Sequence, residues 1–401
     1  MSETTLAASA ALMEREHAVV FQTYRRIPVA IERAEGARII DVDGRSYLDM
    51  LGGIAVNALG HSHPRIISAI EQQITRYMHV SNVFYQEPQV ALAEQLVKAS
   101  GYPRVFFTNS GAESTDGALK LARRYGSARG RYDVIGFTGG FHGRTYGALS
   151  LMDKPLYKDG MGPFLPNTLV LPFNDVDALE SRVDENTCAV MIEFLQGEGG
   201  IQSATQEFVD ALFALKETYG FLIIADEVQS GIGRTGDFFS FEAYGVRPDI
   251  VTVAKAMGGG LPLGAILATE EAAALLDKGM HGTTYGGNPV ACVAGSVVVD
   301  EVCSGLMDHV QNIGVYLYEQ LQVLMTEFPE QIREIRGRGC MQGVVLNTDA
   351  APYVQDLLRN GVIANATAGN VIRLVPPFVI TNDDVDELLR ALRTVMSVQR
   401  G

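Results

Sequence analysis

Two residues stand where chemistry is easiest to place, a lysine and an aspartate that each close an apolar run. Lys255 ends Asp249-Ile-Val-Thr-Val-Ala-Lys255 and is followed at once by Ala-Met-Gly-Gly-Gly, while Phe221-Leu-Ile-Ile-Ala runs into Asp226. Ile250 to Val253 reads as a buried strand, so the lysine is delivered to a strand end where glycines let other groups come close. A lysine in that place is ordinarily a solvated loop residue. An acid at the tip of a neighbouring buried strand changes the reading, because the pair suits pyridoxal phosphate. The lysine amine forms a Schiff base with the aldehyde, and the aspartate keeps the pyridine nitrogen protonated so that the ring accepts electrons.

Three further segments carry groups that a phosphorylated planar cofactor needs. Thr108-Asn-Ser110-Gly111-Ala112-Glu113 follows a strand and opens a helix, so backbone N–H groups and the Ser110 hydroxyl converge where an anion is favoured. Ser or Asn at that position also serves as an ordinary helix cap. Gly139-Gly140 leads into Phe141-His142-Gly143-Arg144, an aromatic able to stack on a ring beside an arginine able to bind a carboxylate as a fork. Gly282-Thr283-Thr284-Tyr285-Gly286-Gly287-Asn288-Pro289 is a polar, glycine-dense loop before a helix, its hydroxyls within reach of a phosphate.

The elements that must position these groups follow from the hydrophobic pattern. Short apolar runs at Val105–Thr108, Val134–Phe137, Leu169–Leu171, Ala189–Phe194, Leu222–Ala225, Ile250–Val253 and Ala265–Ala268 alternate with helical stretches near 113–126, 206–219 and 270–277. That alternation predicts an α/β fold with a central, mostly parallel sheet covered by helices on both faces. In such a sheet the ligand crevice lies outside the strand ends, where the anion site, the aromatic, the acid and the lysine all fall. Upstream, residues 6 to 26 read as a helix, Arg38 to Asp49 as a hairpin with a type I′ turn at Asp43-Gly44, and His63-Pro64 as the start of a helix reaching about Met78. A long helix is expected from Pro289 to about Phe328. The remainder, Ile332 to Gly401, reads as a smaller α+β unit.

Composition narrows the partners. The chain has 401 residues, is 47% hydrophobic and carries a net charge of −15, which argues against nucleic acid and anionic membrane surfaces. Cys188, Cys292, Cys303 and Cys340 stand singly, as reduced thiols of a cytoplasmic protein would. Glu3, Glu14 and Glu16 replace the basic leader of a signal or transit peptide, and no apolar run reaches membrane-spanning length. His61 and His63 flank Ser62 in a turn closed by Pro64 and read as loop-shaping, with no metal site expected.

With these residues in place, the chain resembles the class III aminotransferases, pyridoxal-phosphate enzymes of the aspartate-aminotransferase fold. The likeness rests on Phe221-Leu-Ile-Ile-Ala-Asp226-Glu227-Val228-Gln229-Ser-Gly-Ile-Gly-Arg234-Thr235-Gly236 followed by Lys255, and extends from Ile27-Pro28 to the C-terminal helices. Within the family it is most similar to the acetylornithine aminotransferases, through Gly53-Ile-Ala-Val-Asn-Ala-Leu-Gly-His61, Ser81-Asn-Val-Phe84, Thr283-Thr-Tyr-Gly-Gly-Asn-Pro289 and Asn365-Ala-Thr-Ala-Gly-Asn-Val-Ile-Arg373.

The resemblance implies a fold type I large domain over residues 51–300. Residues 1–50 would join a small domain formed by 301–401. It implies Lys255 and Asp226 as the catalytic pair, and Ser110, Gly111, Ala112, Phe141, His142, Glu227, Val228 and Gln229 as further cofactor contacts. Thr284 would reach the phosphate from the second subunit of a homodimer with shared active sites. Arg144 and Thr283 would hold the acylated substrate, Arg373 the α-carboxylate of glutamate, and Glu198 would neutralise Arg373 when acetylornithine is bound. The implied reaction moves the terminal amine of acetylornithine to 2-oxoglutarate, as in arginine biosynthesis. 4-Aminobutyrate and succinylornithine are alternative donors, and an aminomutase on the same fold a remoter one. The sequence departs from the family at Ala112, where threonine is usual, and at Phe194-Leu195, where a proline usually follows Glu193.

Overall fold

Seven apolar runs become the seven strands of one sheet, in the order Arg104–Thr108, Gly264–Ala268, Ile250–Val253, Leu222–Asp226, Thr187–Ile192, Asp133–Phe137, Thr168–Leu171. The structure, a computed structural model, describes residues 3–398. Only Gly264–Ala268 runs against its neighbours, pairing antiparallel on both sides, so the other six strands end on the same edge. Each run matches an expected strand within a few residues, because a short apolar run between helices suits a strand covered on both faces.

Side-chain alternation divides the core into two layers. Leu222, Ile224, Ile250 and Ile266 face the helix Gly111–Ser127, packing on its Ala118, Leu121 and Ala122. Ile223, Ala225, Val251 and Val253 point the other way, into a larger core with Phe208 and Leu212 of the helix Gln206–Tyr219 and Ala294 and Val298 of Pro289–Glu301. Burial on both sides is what makes these strands continuous apolar runs rather than alternating ones.

A second group of strands ties the chain's two ends together. The hairpin Arg38–Asp41 and Ser46–Asp49 pairs, through its second strand, with Val362–Ile363. A separate sheet orders Ile332–Arg338, Met341–Leu346, Val371–Leu374 and Asn365–Thr367, and carries Arg373. The helices Ala351–Arg359 and Asn382–Val398 pack with this part of the chain.

Four expectations need correction. The N-terminal helix spans Glu3–Val19 and stops short of residue 26, where Gln22 bonds back to the Val20 carbonyl and Arg26 folds back onto Glu16. The Asp43-Gly44 turn is not type I′, which needs positive φ at both central residues. Only Gly44 has it (φ 77°), while the Asp41 carboxylate takes the N–H groups of Asp43 and Arg45 and closes a longer loop. The long helix is interrupted at Val302–Leu306, where Gly305 takes φ 120°. Finally, Pro289–Glu327 is by length and composition apolar enough to cross a membrane, contrary to expectation. Part of it packs in the core, with Cys292, Ala294 and Val298 fully buried and Pro289–Glu301 laid on Pro64–Arg76 and Glu87–Ser100.

Candidate active site

Parallel pairing puts Asp226 level with Thr252, three residues before Lys255, so both candidate groups emerge from one edge of the sheet. They line a cleft of about 450 Å³ together with Ser110, Gly111, Ala112, Phe141, His142, Arg144 and Val228. Of the sequence-predicted residues, these nine meet in one place.

Lys255 leaves its strand through a left-handed backbone, φ 44°, at the start of a tight turn over Lys255–Gly258. A non-glycine residue there is strained by about 1–3 kcal/mol and persists only when the surroundings impose it. Its amine makes no hydrogen bond or ion pair with the described residues. Burial, followed by the charge of Arg373, pushes its pKa down to about 8, against the pull of Glu198, Asp226 and Glu193. An amine so placed reaches its neutral, nucleophilic form at a much lower pH than an ordinary lysine, about half of it being neutral near pH 8.

Asp226 is held from three sides. Nδ1 of His142 donates to Oδ2 at 2.7 Å, and the Val228 N–H and the Thr252 hydroxyl donate to Oδ1 at 3.0 and 3.3 Å. Burial disfavours a charged His142, yet its hydrogen bond to Asp226 and the charges of Asp226 and Glu193 outweigh this and raise its pKa. The result is a carboxylate fixed in a nearly closed environment. The Thr115 hydroxyl holds the His142 carbonyl at 2.9 Å, so the imidazole's backbone is also pinned.

The helix Gly111–Ser127 points its N-terminus into the cleft. The Ser110 hydroxyl caps it by accepting the Glu113 N–H at 3.3 Å, so the capping and ligand-facing readings of Ser110 coexist. The N–H groups of Gly111 and Ala112 have no acceptor within the helix and remain for an anion. Gly111 is required by close approach, since a Cβ there would lie 2.6 Å from Cγ1 of Val228.

A second arginine lies within electrostatic reach of Lys255. Arg373 is buried and forms an ion pair with Glu198, while donating to Gln229 Oε1 at 3.2 Å and to Asn365 Oδ1 at 3.1 Å. Glu198 itself is partly exposed. The Thr367 hydroxyl donates to its backbone carbonyl at 2.8 Å and ties its loop to the Arg373 sheet.

Some predicted residues lie elsewhere. Glu227 follows the end of the strand Leu222–Asp226, and its carboxylate accepts from the Ser230 hydroxyl at 2.8 Å, the Ser240 N–H at 3.0 Å and the Phe241 N–H at 3.2 Å, away from the cleft. Gln229 is buried against Arg373 and does not line the cleft. Thr283 stands one step back, its hydroxyl accepting from Asn109 Nδ2 at 2.9 Å. Thr284 is exposed, outside the cleft of its own chain.

Sequence reasoning missed two residues. Glu193, just beyond the strand Thr187–Ile192, accepts the Phe141 N–H at 2.8 Å and the Gly197 N–H at 3.3 Å, and burial raises its pKa. The same strand-end logic that singled out Asp226 could have found it. Tyr157, on a short turn distant in sequence, carries the Arg144 guanidinium on its ring face, with Cζ 3.5 Å from the centroid. No motif signalled it.

The donor set fits pyridoxal phosphate: a partnerless amine of lowered pKa, a fixed carboxylate and free helix N–H groups share one cleft. Comparison with known proteins agrees. The aminotransferase class-III family model matches residues 19–396. The acetylornithine aminotransferase of Caldanaerobacter subterraneus subsp. tengcongensis is 43% identical over 387 residues, 95% of this chain and 98% of that one. The N-acetylornithine aminotransferase of Stenotrophomonas maltophilia superposes with a TM-score of 0.82 at 34% identity, covering 97% of this chain and 99% of its own. The ornithine aminotransferase of Toxoplasma gondii, in a structure with partial occupancy of pyridoxal phosphate at its active site, gives 0.93 at 30% identity, covering 98% and 95%. The chain belongs to the class-III aminotransferases, which are pyridoxal-phosphate enzymes of fold type I.

Proposed function

We propose that this class-III aminotransferase moves the terminal amine of N2-acetyl-L-ornithine to 2-oxoglutarate, yielding N-acetyl-L-glutamate 5-semialdehyde and L-glutamate in arginine biosynthesis. The observation that carries the reading is the unequal state of the two arginines. Arg373 is neutralised by Glu198, whereas Arg144 lines the cleft with no carboxylate partner among the described residues. One site must accept a donor with a single distant carboxylate and also glutamate, which has two. An always-available fork and a guarded one meet that need.

Pyridoxal phosphate, when bound, supplies an aldehyde that takes up the amine and a protonated ring that draws electrons from the substrate carbon. Ser110, Gly111 and Ala112 would hold its phosphate, Phe141 and Val228 its ring, and Thr284 of a second subunit would complete the phosphate site. Asp226, oriented by His142, would keep a proton on the ring nitrogen. Lys255 Nζ, about half neutral near pH 8, would accept the proton from the substrate carbon and return it elsewhere. Arg144 binds the distal carboxylate of either substrate, with Thr283 fixing the adjoining loop through Asn109. Glu198 releases Arg373 when glutamate arrives. Ile54, apolar and half-exposed beside the cleft residue Val56, suits an acylated amine better than a free one.

The reading includes a homodimer with shared sites, supported by Phe84, Tyr85 and Tyr285, which are apolar and exposed on the faces that carry Thr284. It also includes a cytoplasmic location, and the division into 1–50, 51–300 and 301–401, supported by the pairing of Ser46–Asp49 with Val362–Ile363. An amino-donor panel with 2-oxoglutarate tests the substrate. Acetylornithine should exceed succinylornithine, ornithine, 4-aminobutyrate and acetyllysine, with parallel double-reciprocal lines. A different leading donor refutes it.

A further inference from the structure

The Arg144 side chain is exposed at the cleft mouth and makes no hydrogen bond or ion pair with any described residue, yet it is not without support. Its Cζ lies 3.5 Å from the centroid of the Tyr157 ring and 5.5 Å from that of Phe141. The two rings meet edge to face, 6.0 Å apart at 85°. We propose that Tyr157 is a positioning residue: its ring is the platform that holds the Arg144 guanidinium in one plane, so the fork stands ready before a carboxylate arrives. The inference rests on the reading of Arg144 as the distal clamp and adds what sets its geometry.

The physical reason lies in which part of the guanidinium each contact uses. Stacking occupies its face, leaving the in-plane N–H groups free, and these are the groups a carboxylate needs for a two-pronged bond. A carboxylate on the protein would have held the arginine just as well but consumed that edge. An unsupported exposed arginine would lose its rotamer freedom on each binding event.

Tyr157 is itself well anchored. It closes the short turn Pro155–Tyr157, whose proline limits the backbone. Lys154 Nζ donates to the Tyr157 hydroxyl at 3.1 Å and lies 4.7 Å from its ring. Next in sequence, Lys158 Nζ donates to the Met152 carbonyl at 2.9 Å, and the Met152 sulfur accepts the His142 N–H at 3.3 Å. The platform is therefore tied to the Phe141-His142 segment that lines the cleft.

The test compares Tyr157→Phe, which keeps the face and loses the hydroxyl, with Tyr157→Leu, which removes the face. Glutarate, a dicarboxylate without amine or ketone, is titrated into each holoenzyme by calorimetry, and KM and kcat are measured for acetylornithine and 2-oxoglutarate. Tyr157→Leu should weaken glutarate binding and raise both KM values about fivefold, the upper scale of a cation–ring contact at an exposed site, with kcat within about twofold. Tyr157→Phe should stay within about twofold of the parent on every measure. If the leucine protein does not fold, Tyr157→Met, which keeps apolar contact without a ring, is expected to show the same loss. The platform is overturned if the ringless variant binds glutarate like the parent while Arg144→Ala binds it weakly, or if the phenylalanine variant is as impaired as the ringless one. Parent-like glutarate binding by Arg144→Ala overturns the clamp itself, and the platform with it.

Discussion

His142 Nδ1 and Asp226 Oδ2 lie 2.7 Å apart with both side chains almost wholly buried, so the acid at the base of the cleft is oriented by an imidazole rather than by water. Removing the imidazole leaves a buried carboxylate short of a partner, which costs about 3–5 kcal/mol. His142→Phe should lower stability on that scale and reduce cofactor affinity. The pH dependence has a definite sign. The His142 pKa is raised above its ordinary 6.5, so its stabilisation is complete below pH 6.5 and fades as pH rises through the folded value. Chemical denaturation across pH 6–9 should show that decline in the parent and a flatter line in His142→Phe; identical slopes refute the coupling.

Lys255 makes a prediction about the cofactor-free protein. With its pKa down to about 8, the neutral fraction of the amine rises with pH around that value rather than around the ordinary 10.5. The rate of recapture of pyridoxal phosphate, followed by visible absorbance, should climb from pH 6.5 and level off above about pH 9. Lys255→Ala should form no borohydride-reducible bond at any pH. A rate still rising tenfold per unit at pH 9.5 would contradict the burial argument.

Glu198 and Arg373 form the pair on which dual substrate use turns. In Glu198→Ala the arginine is left exposed to whatever enters the cleft. Donors with no α-carboxylate next to the reacting amine should then lose about tenfold in kcat/KM relative to glutamate. If the ratio of acetylornithine to glutamate rates is unchanged, Glu198 is no switch.

Glu227 separates the family-based expectation from the observed geometry. Burial raises its pKa to about 7, yet its carboxylate accepts several hydrogen bonds from Ser230, Ser240 and Phe241 on the side away from the cleft. Glu227→Gln keeps the shape and forfeits acceptors, so it should cost about 1–3 kcal/mol of stability while leaving the visible spectrum of the holoenzyme unchanged. A shifted spectrum with unaltered melting would return Glu227 to the cofactor site.

The fold was largely legible because its strands are buried on both faces. Ile250–Val253 and Leu222–Asp226 read as unbroken apolar runs, and a parallel arrangement then places whatever follows them on a common edge. Boundaries that depend on local hydrogen bonds were less readable. The Asp43-Gly44 turn is closed by the Asp41 carboxylate, and the break at Ser304-Gly305 lies inside a pattern that is helical throughout.

What the sequence determined by itself is therefore the identity and the edge of the reacting groups: Lys255, Asp226 and the Ser110–Ala112 helix start are each fixed by the element that carries them. Tertiary structure alone decided which groups touch. The contacts of Tyr157 with Arg144, His142 with Asp226 and Glu198 with Arg373 join residues from separate loops and sheets. Periodicity reports which way a side chain faces its own element, but the partner across a cleft depends on how those elements pack in three dimensions.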